Sequence, residues 1–403
     1  MTGESVSLKR CEACAEGNRA FANFCRSCGR ALSAPSNWSG YRGGMRRLGF
    51  HASGSKHDPV TAPLPLTLHL GGDCRSLLAC DGHLVAISHS GAVAVADVTT
   101  PAVVCRFQAH GPVTAQPCLH NGVLYLAAGN QLSAYSLGPV SAQQPHVRTL
   151  WTLPLSATPI HAVTLVDDRL YVTVASSSWR EVQAVENLER PALRTVHGAT
   201  RVSWLAADPS EHTAVFFSQN DSEAVQLQVA SGPQLTSHTM TLQQIPEQPI
   251  AMIGRTVFGV FGDEHRLYRI DTVTGAIEEP LGDDVQFFAL SHAPEEQWDR
   301  ESVLIDSDGI TFSSAGVRDA FGPLDRAVKG SPLIVRDSAA LVGMDDGRVR
   351  VYNLALLPRH EVWRVGGSAS PITALAAFDD FIAAGNREGV VEVRELRAKG
   401  QAA

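Results

Sequence analysis

From residue 64 onward, apolar and polar residues alternate in short runs cut by polar turns. Clear examples are residues 80–98 (CDGHLVAISHSGAVAVADV), 120–137 (HNGVLYLAAGNQLSAYSL), 337–354 (DSAALVGMDDGRVRVYNL) and 378–396 (FDDFIAAGNREGVVEVREL). Alternation puts every second side chain on one face of a strand. Asp-Gly, Asn-Gly or a lone Gly between two such runs is the signal of a β-hairpin. No stretch of similar length carries apolar residues at the 3.6-residue spacing of a helix, so the pattern predicts an almost purely β chain.

The runs repeat. A proline followed by an apolar residue recurs at Pro117, Pro159, Pro249, Pro332 and Pro371, at intervals of 42, 90, 83 and 39 residues. The two long intervals are each about twice the short ones. Two further units without the proline are therefore expected near 204 and 290, and a first unit near 76. Three strong strands and a weaker outer one, repeated every 40–45 residues or so, make one blade of a β-propeller. The expectation is an all-β propeller of about eight four-stranded blades. A seven-blade ring would require 200–245 or 284–325 to be an insertion. The last unit ends near Leu396, too early for an outer strand of its own, while residues 64–70 (LPLTLHL) precede the first unit unpaired. Pairing of 64–70 with the last unit would close the ring and remove its exposed edges.

The first 32 residues follow another rule. Cys11-x2-Cys14 and Cys25-x2-Cys28 stand ten residues apart. Two residues between cysteines let one tight turn aim both thiolates at one ion, and two such knuckles complete a tetrahedral four-thiolate site. So short a segment buries too little surface to fold without metal. Residues 11–32 resemble the short bacterial zinc ribbons, matching at Phe24, Cys25, Cys28, Gly29 and Leu32 and departing at Ala15, where the family usually has glycine. The expectation is one structural Zn2+ held by Cys11, Cys14, Cys25 and Cys28. All four ligands are protein thiolates, so no position stays open for a catalytic water. Residues 33–63 are rich in Gly, Ser and Pro without a period and read as a flexible tether. The predicted organisation is a zinc ribbon over 1–32, a linker over 33–63 and a propeller over 64–403.

Charge separates these parts. Residues 1–60 carry nine Lys/Arg against four Asp/Glu, whereas the remainder carries 24 against 37. A basic head on an acidic body leaves the ribbon and Arg42, Arg46 and Arg47, interleaved with Trp38, Tyr41 and Phe50, as the place where nucleic acid could be held. No run approaches the 18 apolar residues of a membrane span, and no signal peptide is evident in a cysteine-bearing N-terminus, so a cytoplasmic protein is expected.

The repeat form S-P-x-apolar followed by two Gly-turn hairpins and an outer-strand Trp resembles the repeat of the pyrroloquinoline-quinone (PQQ)-type propellers. Trp151 and Trp363 each stand eight residues before the next unit's proline, as that repeat has them. The resemblance implies an architecture in which the Trp docks between neighbouring blades. The quinoprotein dehydrogenases of this kind hold their cofactor partly with a disulfide between adjacent cysteines, and this chain has no adjacent pair. Nucleophile-elbow, P-loop and H-E-x-x-H motifs are also absent. Asp306-x-Asp308-Gly309 is half of a calcium loop, but it and Asp345-Asp346-Gly347 read better as hairpin turns. Cys105, His110, Cys118 and His120, with Cys74, Cys80 and His83, match no knuckle spacing and are expected in the core. These readings predict a non-enzymatic scaffold. Its propeller binds a protein partner, and the ribbon serves as an auxiliary contact or tether. The alternative is a nucleic-acid-associated factor using the ribbon and the basic linker; a propeller enzyme whose residues are gathered from separate blades is a third.

Overall fold

Each alternating run closes into an antiparallel hairpin, and the hairpins assemble into sheets in chain order. The computed structural model describes residues 8–10, 17–19, 50–51 and most of the chain between 59 and 398. Left out within that span are 81–82, 138–146, 209–210, 291–300, 306–309, 315–316, 322–332, 336–338, 354–359 and 379–380, and residues 222, 279 and 282. Among the described residues the only helical turn is the short one at Val365–Gly367. The expected zinc ligands Cys11, Cys14, Cys25 and Cys28, the arginines Arg42, Arg46 and Arg47, and Asp306 to Gly309 lie outside the described residues.

Eight sheets follow one another from Pro59 to Ala398 among the described residues. The first contains Cys74–Cys80, His83–Ser88, Ala92–Asp97 and Ala102–Gln108, paired in that order. The second begins with Cys118–His120, the third with Thr158–Val166, the fifth with Ala251–Ile253, the sixth with Phe287–Leu290 and the seventh with Leu333–Val335. In the fourth, Arg201–Val202 and Ala206–Asp208 both pair with Thr213–Gln219. The eighth runs Ile372–Phe378, Phe381–Asn386, Val390–Ala398, and its outermost strand is Pro59–His69 from the other end of the propeller.

The recurrent proline precedes or begins an innermost strand. Pro117 comes just before Cys118, Pro159 lies in Thr158–Val166, and Pro371 comes just before Ile372. A proline is tolerated there because the edge it faces does not require its missing N–H. The proline-free units place their innermost strands at Ala206–Asp208 and Phe287–Leu290. The fifth sheet has three regular strands. Its outer edge is partly covered by the following chain, through Glu278 N–H to Arg269 O (3.0 Å) and Leu281 N–H to Leu267 O (2.8 Å). The closing strand begins at Pro59, five residues earlier than the sequence pattern places it, because its register continues past Leu396 to Ala398 opposite Pro59.

The core lies between sheets rather than inside one. One cluster joins Leu78, Val85 and Val95 of the first sheet to Leu119, Leu124 and Leu126 of the second, and another joins Tyr125 and Leu132 of the second to Val172 and Val174 of the third. The fourth sheet packs on the fifth through Phe217 and Phe261, whose rings meet edge to face at 5.0 Å. At the seam, Leu68, Cys74 and Ala377 share one cluster with Trp363 of the seventh sheet. Burying a side chain of Phe or Leu size contributes about 1.5–3 kcal/mol, so faces stacked radially hold neighbours together as firmly as hydrogen bonds hold strands. Trp151 and Trp363 serve such joints. The Trp151 ring lies 6.0 Å from that of Tyr125, and its Nε1–H donates to Leu188 O of the next sheet at 3.1 Å. Trp363 is buried at the eighth-sheet boundary with the Arg394 guanidinium 4.8 Å above it.

One turn glycine recurs for a steric reason. Gly91, Gly347 and Gly389 all have positive φ (+92°, +79° and +80°) in the turn between second and third strands. A Cβ there would collide with the carbonyl of Gly111, Ser368 or Gly72, where the connection between sheets passes. Asp345-Asp346-Gly347 is therefore a hairpin turn, with Asp346 Oδ1 accepting from Arg348 N–H at 3.2 Å.

Candidate functional site

The innermost strands break register where successive sheets meet. In the first sheet the ladder shifts between Cys74 and Ser76, in the eighth between Ile372 and Ala374, and in the third between Ile160 and Thr164. In the fourth, Ser203–Leu205 interrupts the strand between Val202 and Ala206. A bulge adds an unpaired residue and re-aims its side chain. The residues released are Thr373, Arg75, His161 and Trp204, and Gln116 stands at the corresponding place before the innermost strand of the second sheet.

These five form a belt from the eighth sheet to the fourth, each reaching the neighbouring sheet. Thr373 Oγ1 donates to Cys74 O at 2.7 Å, and Arg75 Nη2 donates to Thr114 O at 3.0 Å. Gln116 Nε2 donates back to Arg75 O at 3.3 Å. The second and third sheets are joined by backbone as well, through Gln116 N–H to His161 O (2.7 Å) and Val163 N–H to Gln116 O (2.8 Å). His161 Nε2 lies 3.1 Å from Val202 O, so that nitrogen carries the hydrogen, and its ring lies 5.1 Å from that of Trp204. His161 has φ +61°, a left-handed conformation that a non-glycine residue holds at a cost of order 1–3 kcal/mol and that tends to mark functional positions. Arg75 Nε and Gln116 Oε1 are buried with no hydrogen-bond partner among the described residues. The belt thus gathers a cation, an amide, an imidazole and an indole near the ring axis, with hydrogen-bonding capacity left over.

The belt occupies the end where each innermost strand starts, which is also where the connection from the preceding sheet arrives. The opposite end carries the first hairpin turns, and these contact one another. His212 Nδ1 lies 2.8 Å from Asp167 Oδ1, Gly254 N–H donates to Asp208 Oδ2 at 2.7 Å, and Arg255 Nε lies 3.3 Å from Glu211 Oε2. The hydrogen bond and charge of Asp167 raise the His212 pKa above its ordinary value.

A third element approaches the axis from outside the repeats. Phe50–His51 pairs in parallel with Leu333–Val335, Phe50 opposite Ile334 and His51 opposite Val335, and so adds an innermost strand to the seventh sheet. This segment lies in the stretch 33–63 read as a tether.

The scattered cysteines and histidines fall only partly in the packing, and His110 is exposed rather than in the core. Cys74 is fully buried against Gly385, where a Cβ would collide with its Sγ, and burial pushes its thiol pKa up. Cys118 is buried between the second and third sheets, Cys105 is half-buried, and burial lowers the His120 pKa. Among the described residues no three His, Cys, Asp or Glu side chains gather as metal ligands. At the N-terminus, Leu8–Arg10 pairs antiparallel with Gly17–Arg19.

Sequence reasoning missed the belt. Its only signal was position: Gln116 precedes Pro117, His161 follows Pro159 by two residues, Thr373 follows Pro371 by two, and Trp204 stands where a proline-free unit was expected.

No family model matches the sequence, and no curated protein matches it. Solved structures do. BamB from Moraxella catarrhalis is 14% identical with a TM-score of 0.60, covering 85% of this chain and 99% of its own. The quinohemoprotein alcohol dehydrogenase of Comamonas testosteroni is 10% identical with a TM-score of 0.65, covering 92% and 82%. The fold is a PQQ-type β-propeller. A europium-containing methanol dehydrogenase, 11% identical with a TM-score of 0.60 over 87% of this chain and 89% of that one, shares it as well. These matches correct the expectation of a non-enzymatic chain. Named dehydrogenases have this architecture at 10–11% identity, beside a protein whose name states no reaction. Missing short motifs therefore exclude little, because a propeller gathers side chains from separate blades, as the belt itself does.

Proposed function

We propose that this chain is a cytoplasmic protein-interaction scaffold of eight blades whose propeller binds a protein partner at the belt end of its axis. The observation that carries this reading is the belt. Arg and Trp are the residue types that dominate binding energy at protein interfaces, above all in central, largely desolvated positions. Arg75, His161 and Trp204 are half-buried there, neither lost in the core nor fully solvated. The N-terminal ribbon is the auxiliary contact. Cys11, Cys14, Cys25 and Cys28 would hold one structural Zn2+, which would supply the folding energy that so short a segment lacks.

The test is nuclease-treated affinity capture from the native cytoplasm at moderate salt, using the full chain. Three variants accompany it: Arg75→Ala, Trp204→Ala and, on an exposed turn of the fifth sheet, Val273→Ser. The expected result is one stoichiometric protein held by the parent and by Val273→Ser, with retention falling at least tenfold in the two belt variants while each still melts cooperatively. Capture of nucleic acid alone when nuclease is omitted, lost on raising salt, would overturn the reading in favour of the ribbon and Arg42, Arg46 and Arg47.

A further inference from the structure

The direction of Phe50–His51 has a topological consequence. In every sheet the innermost strand runs from the belt end to the hairpin end, and Phe50–His51 is parallel to the innermost strand of the seventh sheet. Phe50 therefore stands toward the belt end of the pairing and His51 toward the hairpin end. The closing strand Pro59–His69 starts at that same hairpin end, because it runs antiparallel to Val390–Ala398 and finishes at the connection leading into Cys74. The two anchors agree in reach. Eight peptide steps join His51 to Pro59, at most about 29 Å, and four strand spacings across a blade come to about 19 Å. His51 and Pro59 thus lie at the same end of the ring, within reach of each other.

We propose that the inner edge of the seventh sheet is a strand-docking groove for an extended peptide and that this chain's own segment around Phe50–His51 occupies it. This rests on the reading above that the belt end binds protein. An innermost strand has one unpaired edge of N–H and C=O groups, the kind of edge to which extended peptides add. Phe50–His51 covers that edge at Leu333–Val335, running from the belt end as the innermost strands do. A protein partner with an extended segment competes with it for the same edge. A two-residue pairing is weak by itself, and it persists through effective concentration, of order millimolar for a short tether. An occupant held in this way is one that a partner can displace.

Two measurements on the full-length chain test this. The first is disulfide trapping of Phe50→Cys/Ile334→Cys, whose Cα atoms are direct partners and fall within the span a disulfide bridges. The reference pair is Thr67→Cys/Glu392→Cys in the closing strand. Mild oxidation followed by peptide mass mapping is expected to show the 50–334 link in most molecules. Absence of that link while 67–392 forms refutes the docking. The second uses a labelled synthetic peptide of residues 44–56 and fluorescence anisotropy. The peptide is expected to bind Phe50→Pro/His51→Pro at least tenfold more tightly than the parent, and the oxidised 50–334 protein least of all. Equal binding to all three overturns the competition even if the link forms. Neither readout involves the native partner, so this proposal can fail while capture at the belt succeeds, and the reverse.

Discussion

Gly389 and Gly71 flank the seam where the two ends of the propeller meet, and alanine at each separates two costs. Both glycines have positive φ, +80° and +72°. A side chain in that left-handed region costs about 1–2 kcal/mol. At Gly71 nothing lies within 4 Å of the added Cβ, so Gly71→Ala should lose that amount and no more. At Gly389 the Cβ meets the backbone of Gly72, with N at 2.9 Å and C at 3.0 Å and the carbonyl oxygen closer still. The seam is held there by Leu70 N–H to Gly389 O at 2.9 Å, so the loop must shift against its own hydrogen bond. Overpacking of this kind costs about 1–3 kcal/mol. Gly389→Ala should therefore lose about 2–5 kcal/mol in all. With an unfolding entropy of about 2 cal/mol/K per residue over roughly 340 residues, 1 kcal/mol corresponds to roughly 1.5 °C. The two variants should differ in Tm by about 1.5–4 °C at one scan rate, with Gly389→Ala the lower and its urea midpoint shifted in the same order. Equal losses would refute the seam contact and leave only the cost of positive φ.

Three further outcomes are expected. The full chain should carry one Zn2+ per molecule by elemental analysis, and Cys25→Ser/Cys28→Ser should lose it while the propeller still melts; metal retained in that variant refutes the ligand set. His212 should titrate above about 6.5, the ordinary histidine value, because Asp167 hydrogen-bonds its ring, and Asp167→Asn should return it there by NMR. A folded-state pKa above the unfolded one means that this contact stabilises fully below the unfolded value and fades as pH rises through the folded one. An unchanged midpoint in Asp167→Asn would show that the contact is not formed in solution. Cys74 should resist alkylation at pH 8 in the folded protein, since burial raises its pKa, whereas half-buried Cys105 should react sooner; modification of Cys74 at the rate seen in denaturant would contradict its packing against Gly385.

Residues close in sequence were the legible ones. Hairpins are local structures, so alternation and turn residues were enough to place His83–Ser88 against Ala92–Asp97 and Val123–Ala128 against Gln131–Leu137. The recurrent proline located the innermost strands, including those of the units that lack it, because spacing survives when a residue is lost. Hydrophobic alternation sorted side chains between two buried faces, with Leu84 in the cluster shared with the eighth sheet and Val85 in that shared with the second, since a slip of one residue would exchange them. Trp151 was legible for the same reason: its outer-strand position repeats at a fixed distance from Pro159.

The candidate site was not legible. Arg75, Gln116, His161 and Trp204 stand about 40 residues apart in sequence, and each reads alone as an ordinary strand residue. Bulges turn them toward one another, and a bulge is set by how neighbouring sheets crowd at the ring axis, which no local pattern encodes. The same holds for Phe50–His51. Composition around it is that of a tether, and pairing with Leu333–Val335 spans more than 280 residues. By itself the sequence determined the strands, their turns and the repeat, because these depend on neighbours along the chain. Only the tertiary structure decided what meets at the axis, because curvature of the ring brings together residues that nothing in the local sequence relates.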